Sequence, residues 1–187
     1  MSRLTSVDLP LSGLKLVQRH RVSDERGYFS RIFCAKELAD FGWKTGIEQI
    51  NHSFTRLKGS VRGLHFQRNP HCEMKLVSVI RGAIWDVAVD LRAASDTYLE
   101  CHGELLSADD GGAMLIPEGF AHGFQSLTDD VEILYCHSAP YNSAAEDGLH
   151  PLDSSLDIDW PLSISEMSKR DHGHRFIDGS FRGITVL

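Results

Sequence analysis

Between Gly59 and Leu76 the sequence reads GSVRGLHFQRNPHCEMKL, with Arg62, His65, Gln67, His71, Glu73 and Lys75 set among short apolar runs. Imidazole is the side chain whose ordinary pKa lies nearest neutrality, so His65 is a candidate for taking and returning a proton. A nearby cation would hold an anion, either a developing oxyanion or a phosphate. Lys75 opens the run KLVSVI, where strand alternation puts it on the side of Val77 and Val79. Lysine is seldom buried without a partner, although at a strand end it also reaches solvent. Tyr135 in EILYCH, Tyr141, and Asp171 in MSKRD add two phenols and a carboxylate. Taken singly, each is an ordinary core or surface residue, and ten histidines weaken any argument from one. A catalytic reading needs His65, Lys75, Tyr135 and Asp171 together.

Short strands must position these groups. LKLVQRHRV, GYFSRIF, IEQINHSFT, SVRGLHFQ, KLVSVI, AIWDVAVDL, YLECHGELLSA, AMLIPEG, GFQSL and VEILYCHSA are bounded by Gly, Asp and Asn, which predicts an all-β sandwich or barrel. In SVRGLHFQ, regular alternation aims Val61, Gly63, His65 and Gln67 one way and Arg62, Leu64 and Phe66 the other. In AIWDVAVDL, Trp85, Val87, Val89 and Leu91 share a face opposite Asp86, Ala88 and Asp90. Arg81-Gly82 reads as the turn of a hairpin, Thr128-Asp129-Asp130 as a second, and CAKELADFG as a brief helix ended by Gly42. After Tyr141 the periodicity fades into a loop-rich stretch with a helical turn near SEMSKRD. The expectation is a single domain over residues 1–187, with a barrel core of about 10–140 and a C-terminal extension of about 141–187 wrapped on it.

The chain's 187 residues, 42% hydrophobic, suffice for one core, and a net charge of −7 argues against a general nucleic-acid or membrane-surface binder. Cys34, Cys72, Cys101 and Cys136 are widely spaced and show no disulfide or metal pattern. With no export signal and no apolar run long enough to span a bilayer, the expected location is cytoplasmic.

LIPEGFAHGF places Pro117, Gly119 and His122 in a P-x-G-x-x-H arrangement that resembles the second motif of cupin barrels. Gly59, His65 and Glu73 fit the first motif, but Gln67 stands where its second histidine would. His65, Glu73 and His122 would make a two-histidine, one-carboxylate metal site, so a metal-dependent cupin is one alternative. A non-catalytic cupin-like binding or structural protein is another.

Five motifs in order, DERGYF, QINHSFTRLKGSVRGLHFQ, KLVSVIRGAIWDVAVDLR, IPEGFAHGF and IDWPL, resemble the dTDP-4-dehydrorhamnose 3,5-epimerase family. The resemblance implies a cupin-type jelly-roll β-barrel, a homodimer, no metal or organic cofactor, and a nucleotide diphosphate 4-keto-6-deoxyhexose as substrate. By residue it implies His65 as the base, Asp171 as its support, Tyr135 as the acid and Lys75 at the ketone. Arg26, Gln49, Asn51, Arg62, Gln67, His122 and Tyr141 are implied to line the sugar and diphosphate region.

The chemistry suits those roles. A C4 ketone acidifies the hydrogens on C3 and C5, and removal of either gives an enolate with its charge on the C4 oxygen. A carboxylate on the far nitrogen of His65 would fix its tautomer, Lys75 would hold the oxyanion, and inversion needs a proton from the opposite face. Arg31 stands where the family carries a glutamate near the nucleotide end, so CDP- and GDP-linked sugars stay open beside dTDP. Inversion at C3 alone stays open beside inversion at both carbons.

Overall fold

The computed structural model describes residues 3–186. In chain order its strands are β1 (Leu4–Asp8), β2 (Lys15–Arg19), β3 (Val22–Asp24), β4 (Gly27–Phe29), β5 (Gln49–Thr55), β6 (Ser60–Gln67), β7 (Lys75–Arg81), β8 (Ala83–Asp90), β9 (Cys101–Ser107), β10 (Gly112–Ile116), β11 (Phe120–Ser126), β12 (Val131–His137), β13 (Glu146–Gly148) and β14 (Glu166–Met167). Helix α1 (Ala35–Ala39) precedes β5, and α2 (Lys169–His172) follows β14. The first sheet runs β1-β2-β10-β7-β12-β5 and the second β13-β6-β11-β8-β9, with β14 beside β6; β3 and β4 form a separate ribbon.

The sequence expectation of hairpins at Arg81-Gly82 and Thr128–Asp130 is corrected here. β7 and β8 lie in different sheets, as do β11 and β12. From β5 onward the chain changes sheet at nearly every connection, which is the jelly-roll pattern of the expected cupin-type fold. Both expected turns are corners where that change occurs, and they pack on each other. Ala83 N–H donates to Thr128 Oγ1 at 3.2 Å and Leu127 N–H to the Ala83 carbonyl at 2.8 Å. Gly82 has φ +76°, and a Cβ there would run into Thr128 Oγ1, so the corner demands glycine.

Three apolar clusters explain why the central strands are buried on both faces. Val77, Val79, Ala88, Phe124 and Ile133, drawn from both sheets, fill the interior between them. Leu38 and Trp43, from α1 and the loop after it, cover Leu76, Leu115 and Cys136 on the outer face of the first sheet. On the outer face of the second sheet, Val87, Val89 and Leu91 meet Leu149, Leu156 and Ile184 of the C-terminal segment. The alternation read along β8 is therefore correct, but its most apolar face lies under the C-terminal segment and not in the barrel interior. Burying one such side chain contributes about 1.5–3 kcal/mol, which is what fastens that segment to the sheet. The sheets also reach past the expected barrel limits, since β1 begins at Leu4 and β13 pairs with β6.

Regular alternation fails at one place in β6. His122 of β11 pairs with His65, while Phe124 pairs with Arg62, so Gly63 and Leu64 together oppose the single residue Gly123. Gly63, at φ +123°, allows this: a Cβ would stand 2.5 Å from Gly123 Cα and 2.8 Å from the His122 carbonyl oxygen. Leu64 drops into the outer cluster, and Arg62 turns to the same cavity as His65.

Candidate active site

A cavity of about 500 Å³ opens between the two sheets, next to the interior apolar cluster. On the wall of the second sheet it is lined by Arg62, His65 and Gln67 of β6 and His122 of β11. On the facing wall stand Gln49 and Asn51 of β5, Lys75 of β7 and Tyr135 of β12, with Tyr141 also on the lining. Asp171 lies behind His65. Arg26 is outside the cavity, on the exposed β3–β4 ribbon, where it pairs with Asp24 at 2.6 Å.

His65 Nε2 meets Asp171 Oδ1 at 2.7 Å, across 106 residues of sequence. The carboxylate comes from the first turn of α2, a helix capped by Ser168, whose Oγ accepts the Asp171 N–H at 3.0 Å. Asp171 Oδ2 also receives the Gly63 N–H at 3.4 Å. Burial pushes the Asp171 carboxyl up, but the hydrogen bond and charge of His65 and the Gly63 N–H outweigh it, leaving its pKa below the ordinary value. With Nε2 engaged by an ionised carboxylate, Nδ1 of His65 is the nitrogen left to accept a proton.

The facing wall carries a hydrogen-bonded chain that the sequence did not announce. Lys75 Nζ lies 3.3 Å from Glu73 Oε1 and 3.4 Å from the His65 carbonyl oxygen. Glu73 Oε2 is 2.8 Å from His137 Nδ1, and Asn51 Nδ2 donates to His137 Nε2 at 3.3 Å. Gln49 donates to Asn51 Oδ1 at 3.0 Å and accepts the Tyr141 N–H at 3.0 Å. Each member thus orients the next, and Lys75 is buried without being unpaired. Burial pushes the Glu73 carboxyl up, while Lys75 and His137 pull it down further, so it remains ionised.

Tyr135 OH lies 3.1 Å from Ser53 Oγ. Burial pushes its phenol far above the ordinary range, so it stays protonated. His122 Nε2 meets Asp86 Oδ1 at 2.7 Å, and Asp86 is fully buried. Gln67 holds the wall in place: its amide donates to the His71 and Pro140 carbonyls at 3.2 and 3.3 Å and accepts the Asn142 N–H at 2.6 Å.

The alternative metal set does not converge. Glu73 is bonded to His137 and Lys75, His122 to Asp86, and His65 to Asp171. Ser53, Asp86, His137 and His174 complete the surroundings of the site but have no functional role in the sequence reading, where Glu73 enters only as a candidate metal ligand. His137 and Ser53 were within reach of it, since each stands two residues along a strand from Tyr135 or Asn51.

The arrangement can abstract a proton on one side of a bound molecule, supply one from the other, and hold an anion beside the lysine. A family model described as dTDP-4-dehydrorhamnose 3,5-epimerase matches residues 8–178. A relative of that name from Sinorhizobium fredii is 39% identical over 164 residues, covering 87% of this chain and 84% of its own. A dTDP-4-dehydrorhamnose 3-epimerase from Streptomyces niveus is 36% identical, covering 87% and 79%. A solved structure of dTDP-6-deoxy-D-glucose-3,5-epimerase from Legionella pneumophila, in complex with dTDP-4-keto-L-rhamnose, superposes with a TM-score of 0.90 at 33% identity over 98% of this chain and all of that one. On the strength of that match and of the jelly roll that carries it, the chain belongs to the dTDP-4-dehydrorhamnose 3,5-epimerase family of isomerases.

Proposed function

We propose that this chain inverts C3 and C5 of a dTDP-linked 4-keto-6-deoxyhexose by proton abstraction through an enolate. The observation that supports the reading is that His65, backed by Asp171, stands on one wall of the cavity and protonated Tyr135 on the facing one, which suits them to act as base and acid. His65 Nδ1 removes the proton next to the ketone, and Asp171 stabilises the imidazolium that forms. Lys75, oriented by Glu73, holds the C4 oxyanion. Tyr135 returns a proton to the opposite face, and its phenolate is short-lived because burial favours the neutral form. Arg62 is exposed enough to meet the diphosphate, for which its fork of donors is suited. Gln49, Asn51, Gln67, His122 and Tyr141 shape the sugar pocket.

The protein acts as a homodimer in this proposal. Val22, Tyr28 and Phe29 on the β3–β4 ribbon are 53%, 59% and 61% exposed, an apolar surface that a second copy would cover. Sedimentation of the purified chain tests this: a dimer sediments at twice 20.9 kDa. Four unbridged cysteines fit a reducing cytoplasm, and among the described residues no helix is long and apolar enough to cross a membrane.

The deciding experiment is NMR in deuterated water with dTDP-4-keto-6-deoxyglucose, using His65→Asn as control. Deuterium at both C3 and C5 that depends on His65 is the expected result. Entry at C3 alone would make the enzyme a 3-epimerase, and turnover only of CDP- or GDP-linked analogues would move the nucleotide. Absence of exchange with all three would overturn the proposal.

A further inference from the structure

Beside the His65–Asp171 pair stands a third group that proton transfer leaves idle. His174 Nε2 is 3.7 Å from Asp171 Oδ1, and its ring meets that of His65 edge-on with centroids 5.6 Å apart. That nitrogen is buried and makes no hydrogen bond. The ring is pinned there from two sides. Gly148 of β13 is the register partner of His65, and a Cβ on Gly148 would collide with the His174 ring. The following residue, Arg175, bridges to Leu149 and accepts the His150 N–H at 3.1 Å. Nitrogen and oxygen atoms of His65, Asp171 and His174 lie within 4.8 Å of one another.

We propose that His65, Asp171 and His174 form a site for a divalent transition ion of the Zn²⁺ or Co²⁺ kind, and that filling it switches the epimerase centre off. Two imidazoles and one carboxylate are ligands such ions favour, with positions left open for water. Bonds of about 2.0–2.2 Å in a tetrahedral shell put ligand atoms roughly 3.4 Å apart. The separations of 2.7 and 3.7 Å at Asp171 straddle that value, so small side-chain rotations close the shell. The ion takes the Nε2 lone pair of His65, and the ring hydrogen that Nε2 carried passes through solvent to Nδ1. No electrons are transferred, but Nδ1 now bears a hydrogen and can no longer accept one from the sugar. The switch rests on the reading of His65 as base; the ion's binding does not.

The test is a titration of the full chain with Co²⁺, followed by its visible absorption. The proposal expects one saturable equivalent with the intensity of a four- or five-coordinate ion. It also expects affinity to fall by roughly tenfold or more in His174→Ala and in His174→Gln, because loss of a ligand costs more than the 10–100-fold typical of an outer-shell partner. His102→Ala, in the remote His102–Glu104 pair on β9, leaves the band unchanged. In parallel, Zn²⁺ stops deuterium exchange in the unaltered chain, a chelator restores it, and the exchange that the His174 variants retain resists Zn²⁺. A band that never saturates, or one undiminished in both His174 variants, overturns the site. Exchange that continues with the site saturated overturns the switch. If the untreated protein exchanges with no substrate, the functional proposal fails while the Co²⁺ result still decides the site.

Discussion

His65 and His122 face each other on neighbouring strands, and each sets Nε2 2.7 Å from an aspartate. The two pairs differ in everything else. The His65 side chain is 33% exposed and His122 only 6%. Asp171 arrives from the far end of the sequence and is further held by the Gly63 N–H, whereas Asp86 belongs to the adjacent strand β8 and has one oxygen, Oδ2, without a partner. The same two side chains at the same distance thus serve different ends. Access to the cavity suits one pair to the proton transfer proposed for it, and enclosure makes the other a strut inside the wall.

The largest effect that would sharpen this contrast is expected from His65→Asn. Exchange should fall by roughly 10²–10⁴-fold, the usual worth of a positioned base, with circular dichroism and melting temperature unmoved. Retention of most activity would put the two histidines on the same footing. Asp86→Ala should do the reverse, because removing one partner of a buried pair costs about 3–5 kcal/mol. For a chain of this size that is a drop of roughly 10 °C in melting temperature, read by calorimetry. Asp171→Asn should cost roughly 10²-fold in turnover and far less stability than Asp86→Ala. Tyr135→Phe should uncouple two readouts: His65 still washes deuterium into the substrate, while inversion falls by roughly 10²-fold.

The smallest effect is in acid. The folded Asp171 pKa is depressed, so its contribution to stability is present above the unfolded value, near 3.9, and is lost as pH falls through the lower folded value. Urea melts of wild type and Asp171→Asn should therefore differ at neutral pH and converge only below the ordinary carboxylate range. Convergence already at pH 6 would show that the carboxylate is not held ionised by His65.

Much of this was legible in the residues. SVRGLHFQ is strand β6 from end to end, and the helical turn expected near SEMSKRD is α2, which delivers Asp171. Alternation reports which residues share a face, but not which strand lies alongside. That is why Arg81-Gly82 looked like a hairpin while the chain was changing sheets. A single extra residue at Gly63-Leu64 reverses the parity of β6, and Arg62 was placed off the face of His65 for that reason. Strand β1 was missed because LTSVD shows too short a pattern. The Glu73–His137–Asn51 chain and the His174 neighbour join residues far apart in sequence, and periodicity carries no information about such distances.

The C-terminal segment also sets an order of events in the cell. When a ribosome has completed the first 140 residues, the base, the lysine and the tyrosine already exist, along with nearly all of both sheets. The carboxylate that orients the base has not yet been made. In the proposed mechanism full activity thus waits for the segment that carries Asp171 to dock on Val87, Val89 and Leu91, so a nascent barrel that meets its substrate early would hold it while turning it over only slowly.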